Sequence, residues 1–338
     1  MKKSLIAVFA MAACCFAANP YTGLMKNLSI ATFGIEDFYK IYGNHDHDLE
    51  KNIDFAKGFR TSLQNHISKK YPETTFKNSY SNEKSSDVTA SNFQNIINDE
   101  NHKRNIVMLS THGTTMYTAD GSSIARHNIA VMYDKRLWVE DMIFTDETYF
   151  AFMHACNFLS FYKDTKSRKE SGFYYKYRND TKPVKTPITN YSGGDDDGWE
   201  DSKEAKPQNI DYSRFHNAFA NGLHGMFGFS SISITMTKTV GGKREANTAL
   251  YETFAQKWVD EGLRIWPAYK YAVWKHIYNE NSQGIEPAVI YKSGTAKGND
   301  GKNHSFKGYC EYYKTIYQEP VKKGSLGRKK AVYGYPEY

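Results

Sequence analysis

Asn105-Ile106-Val107-Met108-Leu109-Ser110-Thr111 runs directly into His112-Gly113. The apolar part, Ile106 to Leu109, does not alternate with polar residues, and it is too short for a buried helix. Such a run reads as a strand covered on both faces. Thr148–Ala155 (TYFAFMHA) repeats the pattern and leads into Cys156-Asn157. Two-sided burial is typical of a parallel sheet packed between helices, so the pair assigns the chain to the α/β class.

The flanking segments fit that class. Upstream, Leu28–Phe38 (LSIATFGIEDF) reads as a first strand. Asp48–Tyr71 carries Ile53, Phe55, Ala56, Phe59 and Leu63 at helical spacing, opened by Asp48 as a cap. Thr74–Tyr80 is a weaker strand. Asp87 or Thr89 caps a helix that buries Phe93, Ile96 and Ile97. Ile124–Val139 alternates as a hairpin does. Downstream come a helix near Tyr212–Asn221, a strand at His224–Phe229, an amphipathic helix over Asn247–Ile265, another over Tyr269–Tyr278 and a closing strand at Ala288–Tyr291. No internal repeat is present. The expected organisation is one α/β domain over 28–292, a surface insertion at about 160–210 and a Gly/Lys/Tyr-rich tail over 293–338. The insertion is rich in Lys, Asp, Tyr, Gly and Pro.

Residues 1–17 read as a secretory signal: Lys2-Lys3, an apolar stretch from Leu5 to Phe16, then small residues at Cys15 and Ala17. A secreted or periplasmic protein is expected. A lipid anchor at Cys14, after Met11-Ala12-Ala13, ranks second because Met11 stands where Leu is usual. The rest of the 338 residues is long enough for a sizeable core. With 26 Tyr, 20 Phe and 5 Trp, and 40% hydrophobic residues, a disordered chain is excluded. No later apolar run reaches the ~18 residues of a membrane span. The net charge of +7 falls to +5 without Lys2 and Lys3, and the basic residues form no dense stripe. Nucleic acid is therefore not an expected partner. Only Cys156 and Cys310 lie beyond the leader, so the chain is not a disulfide scaffold. They pair with each other, or at least one serves a chemical role.

The chemistry concentrates where the two buried strands end. Ligands of open α/β sheets bind outside the carboxyl ends of the strands. If the two strands are neighbours, the His112 imidazole and the Cys156 thiol meet at one edge. A nearby imidazole lowers a thiol pKa and can then protonate a leaving amine. Gly113 leaves its backbone N–H approachable, and with the Cys156 N–H it makes a donor pair for an oxyanion.

A strand ending in His-Gly and a later strand ending in Ala-Cys, in that order, resemble the clan CD cysteine peptidases: caspases, legumains, gingipains, clostripain and separase. His112 and Cys156 are 44 residues apart, against about 50 in caspases. The resemblance covers Leu28 to Phe229. It implies a caspase-like three-layer α/β/α sandwich with a mostly parallel sheet and a peptide-bond hydrolase. His112 would be its general base and acid, Cys156 its nucleophile, and Gly113 an oxyanion donor. HACNF replaces the caspase QACRG, which sets aside caspase-type Asp specificity. GLHGMFGFSS and FAQKWVDEGLRIWPAY also resemble secreted bacterial caspase-like domains of unknown function. A protein or peptide substrate is expected, and no cofactor is required. Oligomeric state is left open.

Blander readings stand beside this one. Cys156 bridged to Cys310 would remove the nucleophile. His154-x-Cys156 suggests a metal, but no further ligands fall in register. Asn44-His45-Asp46-His47-Asp48 is metal-like in composition, though capping explains it more simply. Asp195-Asp196-Asp197-Gly198 offers hard oxygens to Ca²⁺ without the spacing of an EF-hand. Gly241-Gly242-Lys243-Arg244 is a turn rather than a phosphate loop. No Gly-x-Ser-x-Gly or His-Glu-x-x-His occurs. The alternative function is a non-catalytic secreted or surface binding protein on the same fold.

Overall fold

Ile106–Ser110 and Phe150–His154 are strands in which every residue is buried, as their unbroken apolar sequence requires. They pair in parallel, Ile106 opposite Phe150 and Ser110 opposite His154. The structure, a computed structural model, describes residues 27–120, 123–160, 173–174, 184–185, 213–231, 233–278, 285–297, 301–311 and 325–330. The expected leader at 1–17 and nearly all of the 160–210 insertion, with its Asp195–Gly198 run, lie outside the described residues.

The main strands are β1 (Ile30–Gly34), β2 (Tyr80–Ser81), β3 (Ile106–Ser110), β4 (Gly113–Asp120), β5 (Ser123–Val131), β6 (Arg136–Trp138), β7 (Phe150–His154), β8 (Gly225–Phe229), β9 (Thr237–Val240), β10 (Lys243–Ala246), β11 (Pro287–Lys297), β12 (Asn303–Lys307) and β13 (Ser325–Lys330). An eight-stranded sheet runs β2-β1-β3-β7-β8-β11, with β12 and β13 both on β11. The first five strands in that order are parallel, while β11 to β13 are antiparallel. This is a mixed α/β protein with a mostly parallel sheet. The order reverses between β1 and β3, and crevices for ligands form at such a switch point.

Period-2 side-chain alternation splits the sheet into two apolar faces. Ile30, Met108, Phe152 and Phe227 pack against the helices α1 (Asn52–Lys70), α3 (Ala249–Ala255) and α4 (Ile265–Val273). Phe33, Leu109, Met153 and Ile290 pack against α2 (Ala90–Ile97) and the 137–144 and 215–223 segments. Thr89 caps α2, accepting from the Asn92 N–H.

Several boundaries differ from the sequence reading. Helix α1 starts at Asn52, and Lys51 precedes it at φ 64 with no side-chain cap. Asp48 instead accepts the Phe38 N–H. The expected hairpin gains a strand, because β4 begins at Gly113 and pairs with β5, which pairs with β6. Near 212–221 there is a 3-10 turn at Ser213–Phe215 rather than a long helix. Helix α3 continues as a wider π turn over Gln256–Asp260 and stops before Gly262, at φ 74. The Gly/Lys/Tyr-rich stretch contributes β12 and β13 to the sheet, and β11 runs across the 292/293 boundary.

Among the described residues, no helix is long and apolar enough to cross a membrane.

Candidate active site

His112 follows β3 and is pinned through its backbone on both sides. The Thr111 N–H donates to the His154 carbonyl at 3.2 Å, and the His112 carbonyl accepts the Val131 N–H at 2.9 Å. One residue further back, buried Asn52 locks the strand end. Its Nδ2 donates to the carbonyls of Ile35 (2.9 Å) and Ser110 (2.8 Å), while its Oδ1 accepts the Ser110 hydroxyl at 2.6 Å. A Cβ on Gly34 would lie 2.5 Å from the Asn52 carbonyl oxygen, so glycine there lets the helix start close against the sheet.

The half-buried His112 ring packs 4.6 Å from Phe38, with Tyr42 and His47 edge-on at 6.2 and 6.3 Å. Its Nε2 is 2.6 Å from the His47 carbonyl oxygen. A carbonyl only accepts, so Nε2 carries the hydrogen, and in the neutral ring Nδ1 is the basic nitrogen. Asp48 adds a negative charge nearby. Burial raises the Asp48 carboxyl, but the Phe38 N–H, the bond from His45 and the fields of His45 and His112 outweigh it and hold it below its usual range.

Cys156 lies two residues past β7. Its Sγ accepts the Ser233 N–H at 3.2 Å and lies 3.5 Å from the Ser233 carbonyl oxygen and 3.6 Å from the Ser233 hydroxyl. The chain then turns through Asn157 at φ 52, whose N–H donates to the Ser231 carbonyl at 2.6 Å.

Gly113 touches Cys156 directly. A Cβ there would fall 2.2 Å from the Cys156 carbonyl oxygen, 2.8 Å from the Ala155 Cβ and 2.9 Å from the Cys156 nitrogen. No side chain fits. Because His112 accepts from Val131 across the hairpin, antiparallel alternation turns the next N–H, that of Gly113, away from β5. The Cys156 N–H donates to no backbone or side-chain acceptor among the described residues. Two backbone donors therefore lie close together at the end of two parallel strands, one on the residue after His112 and one on Cys156 itself.

The remaining expected residues separate. His154 is fully buried among Phe55, Phe229 and Tyr251. Its Nε2 donates to the Ile234 carbonyl at 2.9 Å, and Nδ1 is 3.3 Å from the Tyr251 hydroxyl. Burial lowers its pKa to about 4, although the bond to Ile234 opposes the shift. His154 and Cys156 thus share the 233–234 segment.

Asp37, His45 and Asp48 offer ligand atoms within 4.8 Å of one another on the surface, but Asp37 and Asp48 also serve the N–H groups of Tyr39 and Phe38. Cys156 and Cys310 are free thiols. Cys310 follows Gly308, which abuts His224 at the amino end of β8, whereas Cys156 lies past the carboxyl end of the parallel neighbour β7. Five-residue strands span about 16 Å, well over the ~7 Å Cα separation a disulfide tolerates.

Sequence reasoning missed the His47 carbonyl, the Ser233 backbone, Asn52 and a buried Asn128. A backbone acceptor has no sequence signal. The two asparagines do have one: each is polar where the pattern asks for an apolar residue.

Comparison with protein-family models, curated proteins and solved structures found no match for the chain.

Proposed function

We propose that the chain is a cysteine peptidase of caspase-like α/β/α architecture, exported through residues 1–17 and acting on protein or peptide substrates. One observation carries the reading: the Gly113 backbone lies against Cys156, with His112 oriented by the His47 carbonyl at the neighbouring strand end. The Cys156 sulfur attacks the scissile carbonyl carbon, and its proton passes to His112 Nδ1. Negative charge develops on the carbonyl oxygen and is taken up by the N–H groups of Gly113 and Cys156. His112 then gives the proton to the departing amine as the C–N bond breaks, leaving a thioester. Water, deprotonated by His112, attacks the thioester; the C–S bond breaks and the thiol is restored.

A specific contact supports the alternative of a non-catalytic binding protein. Ser233 covers the sulfur with both its N–H and its carbonyl, an arrangement in which a thiol can rest as a packed group.

One experiment separates the two. The mature protein and Cys156→Ala are incubated with a denatured proteome under mild reductant, with and without Ca²⁺, and new N-termini are read by mass spectrometry. Cleavages made by wild type alone, clustered on one residue before the cut, are expected. Silence from both proteins, with Cys156 inert to iodoacetamide, would overturn the peptidase reading in favour of the binding protein.

A further inference from the structure

Asn128 sits on β5 opposite Thr115, two residues along from Gly113, and is fully buried. Its side chain leaves the hairpin and enters the turn after Cys156. There Nδ2 donates to the carbonyls of Asn157 (3.1 Å), Phe158 (2.9 Å) and Ser160 (3.0 Å). On its other side Oδ1 accepts Arg214 Nη1 at 2.8 Å, and Arg214 is itself buried. Carbonyls only accept and a guanidinium only donates, so chemistry settles which way the amide points. Three carbonyl dipoles converging on one point repel one another unless a donor stands between them. The Asn128 amide is that donor.

We infer that Asn128, held by Arg214, is the positioning residue that aligns the Cys156 N–H with the Gly113 N–H. The purpose of that alignment rests on the peptidase reading; the alignment itself concerns only the turn. A single side chain reaches from the strand paired with Gly113 to the turn that follows Cys156. It therefore sets the spacing of the two donors, which sequence places 43 residues apart. The same amide bonds both Ser160 and Arg214, residues 54 positions apart in the sequence.

The test compares wild type with Asn128→Asp and Arg214→Met. Aspartate keeps the shape and the acceptor for Arg214 but turns an oxygen toward the three carbonyls. Three quantities are measured: kcat and KM on a peptide that wild type cleaves, the rate of Cys156 alkylation by iodoacetamide, and deuterium exchange at the Leu159 and Ser160 amides. Alkylation needs a reactive thiol but no oxyanion donors. The Leu159 and Ser160 amides donate to the Phe229 and Asn157 carbonyls, so they report on the turn.

In Asn128→Asp, exchange at both amides is expected to rise at least tenfold. There kcat should fall at least tenfold, while KM and alkylation stay within about threefold, since one misplaced oxyanion donor costs about 10²–10³ in rate. Unchanged exchange overturns the inference. So does a parallel fall in kcat and alkylation, which marks general loss of structure. If Asn128→Asp gives no cooperative melt, Arg214→Met is read at the same two amides, and unchanged exchange there is equally fatal. If the turn loosens as expected while wild type cleaves nothing, the alignment stands and the peptidase reading falls.

Discussion

At the carboxyl ends of the parallel strands, His112 is half-buried, one ring nitrogen is held by a carbonyl, and the neighbouring Gly113 lies against Cys156, whose N–H has no acceptor among the described residues. At the amino end of β8, His224 is sealed. Its side chain is 1% exposed, and Nδ1 donates to Glu311 at 2.6 Å between Tyr149 and Phe306. Buried Lys292 closes the same end by donating to the Phe219 carbonyl. The same residue type thus plays two roles on one sheet. Where the chain encloses a histidine with a carboxylate partner, it builds stability; at the carboxyl ends of the parallel strands it keeps a histidine half-buried next to the Gly113 backbone.

Substitutions test that contrast. The largest expected effect is at the open end: His112→Ala should lower kcat/KM on a cleaved peptide by about 10²–10⁴ with little change in melting temperature. A large loss of stability instead would make His112 another structural histidine. Gly113→Ala comes next. Its Cβ meets Cys156 backbone that cannot yield cheaply, so peptide turnover should fall by about 10² or more, alongside a stability loss of about 1–3 kcal/mol read by denaturant titration.

At the sealed end the pattern inverts. His224→Phe leaves the Glu311 carboxylate buried without that partner and should cost about 3 kcal/mol of stability. Turnover per folded molecule should be unchanged, and a matching loss of turnover would show that the two ends are coupled.

His154 lies between these cases, and it makes a pH prediction. Its folded pKa, about 4, lies below the unfolded value near 6.5, so the unfolded chain takes up the proton first. The stability it contributes is complete above about pH 6.5 and is lost as pH falls toward 4, a change on the order of 3 kcal/mol. Urea titrations of wild type and His154→Phe across that window should show the slope flattened in the variant. The smallest effect is a control away from both ends: Thr89→Ala removes the cap of α2 and should cost about 1 kcal/mol with turnover unaffected.

The sheet was legible because its central strands are buried on both faces. Ile106–Ser110 and Phe150–His154 have no polar side to confuse with a helix, and each lies inside the run that marked it, shorter by one or two residues at either end. That His112-Gly113 and Cys156 end neighbouring strands was a supposition of the sequence reading, and the parallel pairing of the two strands supplies it. Other features depended on distant contacts. Asp48 looked like a helix cap, but Phe38, ten residues earlier, offers it a better-placed N–H. The strand beginning at Gly113 was hidden by Thr and Tyr, whose partners lie across the hairpin. The His47 carbonyl was invisible, since every residue carries one.

The position of β8 has a consequence for synthesis. It lies between β7 and β11, yet about 70 residues separate it from β7 in the chain. At ribosomal rates of about 5–20 residues per second, the edge of Phe150–His154 waits several seconds for its partner. During that interval an apolar strand with unpaired N–H and carbonyl groups is exposed to every other nascent chain. The same sheet order that sets the Gly113 backbone against Cys156 therefore leaves this protein most open to aggregation while it is being made.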